Sequence, residues 1–318
     1  MEMLKQLSLA GLVPVIIVED AQDAVPLCRA LSEGGLPVAE ITFRSAAAEE
    51  AIKLVHQELP EVILGAGTVL TIDQVDRAVA AGAAYIVAPG FNGEIVRYCQ
   101  KIGVPMVPGC SGPTDIEAAL ALGLTTVKVF PAEALGGIKT IKAMSAPYGN
   151  VTFMPTGGIN EKNLMDYLSF PKIVACGGSW MVPADAIAAK DWDRIKSITQ
   201  NAVKTMLGLE LAHIGLPCGA PEKAMDDAKK LAALLGFDVK EGNSSNFAGT
   251  DFELMKKQAR GTHGHIAIGT NSVKRAKWHL ENQGYKFIED SAVIKNGKLI
   301  AIYLEGEIGG FAIHLVQK

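Results

Sequence analysis

Lys128 is the lone charge in the apolar run Val127-Lys128-Val129-Phe130-Pro131, which otherwise reads as a buried strand of a parallel sheet. Burying an amine favours its neutral form, and a neutral amine attacks a carbonyl carbon to make a Schiff base. A lysine that snorkels to a barrel rim, or that pairs with a buried carboxylate, is the ordinary alternative. A second charged set bears on the choice. In Val38-Ala39-Glu40-Ile41-Thr42-Phe43-Arg44, residues 40, 42 and 44 share one face of a strand. A carboxylate and a guanidinium on an inward face are costly unless they serve each other or a ligand. Amine, carboxylate and guanidinium together are the parts needed to cleave a 2-oxo acid by covalent catalysis.

These residues need a frame that brings distant strands together. Apolar β-branched runs recur roughly every two dozen residues up to residue 180, each followed by a polar turn and a stretch of helical periodicity. The strand candidates are Leu12–Glu19, Val38–Phe43, Val62–Val69, Tyr85–Ala88, Pro105–Gly109, Thr125–Phe130, Val151–Pro155 and Lys172–Cys176. Eight βα units predict an α/β fold, a (β/α)8 TIM barrel, with an open doubly wound sheet as the alternative. Glycines at Gly34-Gly35, Gly82, Gly103 and Gly123 read as left-handed helix ends before the next strand. A closing helix runs from Trp192 to Met206. The glycine-rich and polar segments all follow strands, so in a barrel they collect at its C-terminal face, where βα loops converge.

Composition narrows the chemistry. The chain has 318 residues with 49% hydrophobic content, enough for one large domain and a small one. Its net charge of −4 comes without long like-charge blocks, so it carries no footprint for nucleic acid or an anionic membrane. A small-molecule partner is expected. The five scattered cysteines, Cys28, Cys99, Cys110, Cys176 and Cys218, lack a CxxC pair and predict reduced thiols. The run Leu12 to Val18 is too short to span a bilayer and is followed by Glu19-Asp20, so a cytoplasmic protein is expected.

Pro155-Thr156-Gly157-Gly158-Ile159-Asn160 and Gly177-Gly178-Ser179-Trp180 follow the last two predicted strands, where barrels bind phosphate through backbone N–H groups. Turn-forming glycines are the ordinary explanation for one such pair. The barrel resembles the family of KDPG (2-keto-3-deoxy-6-phosphogluconate) and 4-hydroxy-2-oxoglutarate aldolases, class I Schiff-base enzymes. The resemblance runs over residues 5–207 and rests on Glu40-Ile-Thr-Phe-Arg44, Gly65-Ala-Gly-Thr-Val69, Ala88-Pro-Gly90, Lys128-Val-Phe-Pro-Ala-Glu133, Pro155-Thr-Gly-Gly-Ile159 and Gly177-Gly-Ser-Trp180. It implies a Schiff base on Lys128, with Glu40 as general acid and base. Arg44 and Thr68 would hold the pyruvyl carboxylate, with Pro89, Phe130 and Thr156 lining the substrate pocket. Gly157, Gly158, Gly178 and Ser179 would hold a phosphate. It also implies a trimer and no cofactor for the lyase step. A barrel that keeps the phosphate site for binding or regulation, with the main catalysis in the rest of the chain, is the rival reading.

Near Gly208-Leu209-Glu210 the βα repeat stops, and five of the six histidines lie beyond it. This places a boundary between 1–207 and 208–318. The second segment reads as two βαβββ halves, an α+β domain built from a weak internal repeat. That pattern resembles the vicinal oxygen chelate superfamily, which includes glyoxalase I. The resemblance implies metal ligands from the first and last strand of each half: His213, Glu253, His265 and His314, with His263 as a substitute on the face of His265. Their N and O donors suit Zn²⁺, Ni²⁺, Mn²⁺ or Fe²⁺. Glyoxalase-like members more often carry glutamate where His314 stands. Taken singly, each histidine reads as a satisfied core residue.

Overall fold

In the computed structural model, which describes residues 2–318, the chain divides into two compact units, with the boundary between Met206 and Leu207. The first holds eight parallel strands: β1 (Leu12–Ile16), β2 (Val38–Thr42), β3 (Ile63–Gly67), β4 (Tyr85–Val87), β5 (Met106–Val107), β6 (Thr126–Val129), β7 (Thr152–Pro155) and β8 (Cys176–Gly178). They run in the order β5-β4-β3-β2-β1-β8, with β6 paired to β7. Single bridges from Gly109 to Lys128 and from Thr156 to Gly177 complete the ring, making a (β/α)8 barrel. Helices cover the outside. Their buried faces, such as Ala51, Ile52 and Val55 on the helix Ala48–Glu58, join strand residues such as Ile16, Ile41 and Ile86 in one apolar layer. The helix Ile72–Ala81 starts at Thr71, whose hydroxyl accepts from the Gln74 N–H, and ends at Gly82 with φ of +108°.

The first six strands are shorter than the apolar runs that encode them, since each of those runs continues into its βα loop. The eighth differs in position as well. It occupies Cys176–Gly178 instead of Lys172–Cys176: residues 172–174 make one isolated bridge, Phe153 to Ile173, and the Lys172 ammonium donates to the carbonyls of Ser145 and Tyr148, both at 2.7 Å. Pairing with β1 begins where the Cys176 N–H donates to the Gly11 carbonyl. Gly177 and Gly178 are therefore strand residues, and only Ser179 and Trp180 lie beyond the strand. Of the predicted helix-ending glycines, Gly35, Gly82, Gly103 and Gly123 are left-handed, whereas Gly34 is helical at φ of −74°. A helix over Glu2–Ala10 precedes β1 and is absent from the sequence reading.

The second unit is an eight-stranded sheet: β9 (Glu210–Pro217), β10 (Val239–Glu241), β11 (Ser245–Ala248), β12 (Phe252–Met255), β13 (Gly264–Thr270), β14 (Val293–Lys295), β15 (Lys298–Ile308) and β16 (Phe311–Gln317). Helices Pro221–Leu235 and Val273–Asn282 follow β9 and β13, so each half is βαβββ. The order β10-β11-β12-β9-β13-β16-β15-β14 places the halves side by side about the antiparallel β9–β13 pair. The register is symmetric. His213 stands opposite Ala267 as His265 stands opposite Gly215, and Glu253 pairs with Gly215 as His314 pairs with Ala267. Period-two alternation then directs all four side chains to one face. No disulfide joins any of the five buried cysteines, and among the described residues no helix is long and apolar enough to cross a membrane.

Candidate functional sites

The barrel encloses a cavity of about 150 Å³ lined by Val15, Glu40, Arg44, Thr68, Pro89, Lys128, Phe130 and Thr156. Seven of these eight were singled out in the sequence. Val15 was not, although it lies directly opposite Glu40 in the β1–β2 register; an aliphatic residue inside an apolar strand carries no compositional signal. Glu40 is fully buried and Lys128 is 4% exposed. The Lys128 Nζ donates to Glu40 Oε1 at 3.3 Å and lies 5.6 Å from the centre of the Phe130 ring.

The other polar atoms of the cavity are left open. Glu40 Oε2 and Thr156 Oγ1 are buried without a hydrogen-bond partner, which is costly unless a ligand or water uses them. Arg44 is exposed at the cavity edge, with no ion-pair partner among the described residues. Thr68 adopts a left-handed φ of +55°, a conformation that costs a β-branched residue about 1–3 kcal/mol and concentrates at working sites. Room for the buried carboxylate comes from β3, where a Cβ on Gly67 would overlap Glu40 Oε1. Thr42, on the predicted face of Glu40 and Arg44, instead donates from Oγ1 to the Ile16 carbonyl at 2.8 Å and serves the sheet.

None of Gly157, Gly158, Gly178 or Ser179 lines this cavity. Gly157 and Gly158 follow β7 with left-handed φ of +98° and +81°. Asn160 and Asn163 both donate to the Gly158 carbonyl at 3.2 Å, which fixes the turn. Gly178 ends β8 beneath the Trp180 ring, and Ser179 is exposed just after it. Glu133, from the Lys128 motif, braces the turn: its N–H donates to the Gly157 carbonyl, and its carboxylate accepts from Tyr167 Oη.

The second unit carries a larger cleft, about 770 Å³, with His213, Glu253, His265 and His314 among its lining. The three histidines each offer a ring nitrogen within 4.8 Å of the others. Glu253 Oε2 lies 3.3 Å from His213 Nε2 and 3.1 Å from His265 Nε2, and those two nitrogens are 3.1 Å apart. Tetrahedral ligands on bonds of about 2.0–2.1 Å sit about 3.3 Å from one another, so the donor set has the dimensions of a divalent metal site. Both ring nitrogens of His314, and Nδ1 of His265, are buried without a partner.

Burial, and then the neighbouring His265 and His213, push the His314 imidazole down to about 4, which keeps a lone pair available at neutral pH. For Glu253, burial works upward, but hydrogen bonds from His213, His265 and Ser245 outweigh it and hold the carboxyl well below the usual range. Ser245 Oγ donates to Glu253 Oε1 at 2.6 Å. Gly215 makes room for a ligand-type residue here as Gly67 does in the barrel, since a Cβ there would overlap the His265 imidazole.

His263 does not join the cluster. Gly264, at φ of +114°, breaks the alternation between positions 263 and 265, and the His263 ring packs against Gly310 and Phe311. Ser245, Phe247 and Tyr303 complete the surroundings of the cluster: Phe247 lies edge-on to His213, and Tyr303 stacks on His314 with ring centres 4.6 Å apart. The sequence reading missed all three, although Phe247 and Tyr303 are the register partners of Glu253 and His314.

A lysine buried against a carboxylate inside a parallel barrel can form an imine with a carbonyl substrate without help from a metal, which is the arrangement of a class I aldolase. Comparison with known proteins makes the class definite. The family model for KDPG and KHG aldolases matches residues 3–198, and the chain belongs to that family. The 2-dehydro-3-deoxy-phosphogluconate aldolase of Treponema pallidum is 49% identical over 192 residues, 60% of this chain and 91% of that protein. The enzyme of the same name from Haemophilus influenzae is 46% identical over 202 residues, 64% of this chain and 95% of its own length. The KDPG aldolase of Legionella pneumophila, solved with pyruvate captured as a covalent carbinolamine, matches with a TM-score of 0.61 at 38% identity, over 63% of this chain and 97% of that one.

Proposed function

We propose that the barrel cleaves 2-keto-3-deoxy-6-phosphogluconate to pyruvate and glyceraldehyde 3-phosphate, 4-hydroxy-2-oxoglutarate to pyruvate and glyoxylate, or both. The buried Lys128–Glu40 pair carries this reading. The Lys128 amine adds to the C2 carbonyl, and loss of water gives an iminium. Glu40 takes the C4 hydroxyl proton, the C3–C4 bond breaks, and its electron pair moves into the iminium to give an enamine. Protonation at C3 and hydrolysis release pyruvate and return the amine. Arg44 and Thr68 hold the substrate carboxylate at the edge of the cavity, with Thr156 Oγ1 available for a substrate oxygen and Val15, Pro89 and Phe130 as walls. A phosphate sits on the backbone of Gly157, Gly158 and Gly178 and on Ser179. Borohydride reduction in the presence of pyruvate tests the nucleophile: the Lys128 peptide should gain a stable mass. An unmodified peptide from enzyme that still turns over would refute the assignment.

The second unit, in the same reading, is a vicinal-oxygen-chelate-type domain that binds a divalent metal through His213, Glu253, His265 and His314. Its support is the symmetric register that gathers four ligand-type side chains from four strands onto one face. A bound ion would polarise ligand oxygens, and Ser245 orients the carboxylate that holds it. Elemental analysis of protein purified without a chelating resin should find about one equivalent of Zn, Ni, Mn or Fe, and less than a tenth of an equivalent would refute it. A cytoplasmic trimer completes the reading, with sedimentation as the check on its size.

A further inference from the structure

We infer that the cleft of the second unit takes a small oxyanion-bearing ligand, whose acid group is held by Lys257 while a second oxygen meets the His213–Glu253–His265–His314 cluster. The inference rests on the metal reading above. Its first support is the charge of the lining. Fourteen residues line the cleft, and Glu253 is the one acid among them. A divalent ion held by one carboxylate and three neutral imidazoles keeps a net positive charge, so the floor of the loaded cleft attracts anions.

The second support is a cation with no other task. Lys256 is occupied: its ammonium donates to the Gly242 carbonyl at 2.7 Å and pairs with Glu241 at 3.5 Å. Lys257, next along the segment that follows β12, lines the cleft, is exposed, and has no ion-pair or hydrogen-bond partner among the described residues. A positive floor and a free ammonium on one rim repel each other until an anion bridges them. Third, the lining also includes Phe247, Met255 and Tyr303, which suit a short carbon skeleton rather than a second charge. Acids are also what the barrel consumes and releases, so the two units would act on one chemical class.

The test uses the full-length chain, stripped with a chelator and reloaded with Mn²⁺. Calorimetric titration with oxalate, inorganic phosphate and uncharged oxamide reads binding, the metal-free protein serves as the blank for the barrel, and Mn²⁺ EPR reports the ion's own surroundings. At least one oxyanion should bind only to the loaded protein and alter the EPR line shape, while oxamide should not. Whether oxalate or phosphate binds separates a carboxylate from a phosphate ligand. Lys257→Glu should weaken that binding about tenfold or more, and Lys257→Arg should retain it. Equal affinity for oxamide and oxalate, no oxyanion binding to loaded protein, or full affinity in Lys257→Glu would overturn the inference while leaving the metal site standing. Failure to load any metal would overturn the reading beneath it, and the inference with it.

Discussion

The barrel cavity measures about 150 Å³ and the cleft of the second unit about 770 Å³, and the smaller one holds the complete reactive set. In the proposed mechanism the barrel draws its nucleophile and its proton carrier from the chain itself, the buried pair of Lys128 and Glu40. In the second unit nothing is nucleophilic in that sense; four donor side chains converge and three of their nitrogens lack a partner. A protein-made reactive pair needs a cavity only large enough for the reacting atoms, from which water is excluded. A site that borrows its charge from an ion can stay open and admit larger ligands. Both nevertheless use one device. A glycine on the neighbouring strand, Gly67 in one unit and Gly215 in the other, leaves the space that the key side chain fills.

Breaking the barrel's self-sufficiency has the largest expected effect. Lys128→Met should lower lyase turnover on the order of 10⁴-fold or more, measured as pyruvate release coupled to lactate dehydrogenase. It should also cost about 3–5 kcal/mol of stability, since Glu40 would be left buried and unpaired. Adding Glu40→Gln to that variant should recover much of the stability in denaturant titrations and none of the turnover. If turnover returned with stability, the pair would be structural. Gly67→Ala is milder: the displaced Glu40 carboxylate should reduce kcat about 10²-fold, with the fold retained by circular dichroism. An unchanged kcat would show that the carboxylate tolerates the shift and that the glycine serves packing alone.

Chelation separates the units. Dipicolinate treatment should leave pyruvate release unchanged, because no step in the barrel passes through a metal. It should destabilise the second unit by about 2–3 kcal/mol at a metal concentration near a hundredfold Kd, read as a downward shift of one calorimetric transition. Gly215→Ala should act as a genetic version of the same experiment, pushing His265 aside and weakening metal binding about 10²-fold with lyase activity intact. Loss of lyase activity in either experiment would contradict the division of labour between the units.

The residues legible in the sequence were those whose type conflicts with their surroundings. Lys128 stood out as a charge in an apolar run, and Glu40 and Arg44 as charges on one strand. The histidines stood out because a repeat placed them at matching positions. Val15 was illegible because valine in a strand is what any barrel would contain, and only the register with Glu40 gives it a role. The eighth strand is displaced because the segment from Lys172 touches β7 only through the isolated Phe153–Ile173 bridge and gains continuous pairing, with β1, from Cys176 onward. His263 failed for a related reason. Period-two counting assumes regular backbone between positions, and Gly264 in the left-handed region cancels it.

The finest comparison concerns how a carboxylate is held in each site. Among the described residues Glu40 Oε2 has no partner, and Oε1 accepts from the amine with which, in the proposed mechanism, it shares the chemistry. Glu253 has both oxygens engaged, Oε1 by the Ser245 hydroxyl at 2.6 Å and Oε2 by His213 and His265. A carboxylate that moves protons needs a free oxygen, whereas one that only orients a ligand set is better locked. Ser245→Ala should therefore weaken metal binding about tenfold, through loss of orientation and not of a ligand. Ser245→Thr keeps the hydroxyl and should stay near the native affinity, measured by competition with a chromophoric chelator. If Ser245→Ala bound metal as tightly as the native protein, Glu253 would have freedom like that of Glu40. The second unit would then have a carboxylate able to carry protons as well as to hold an ion.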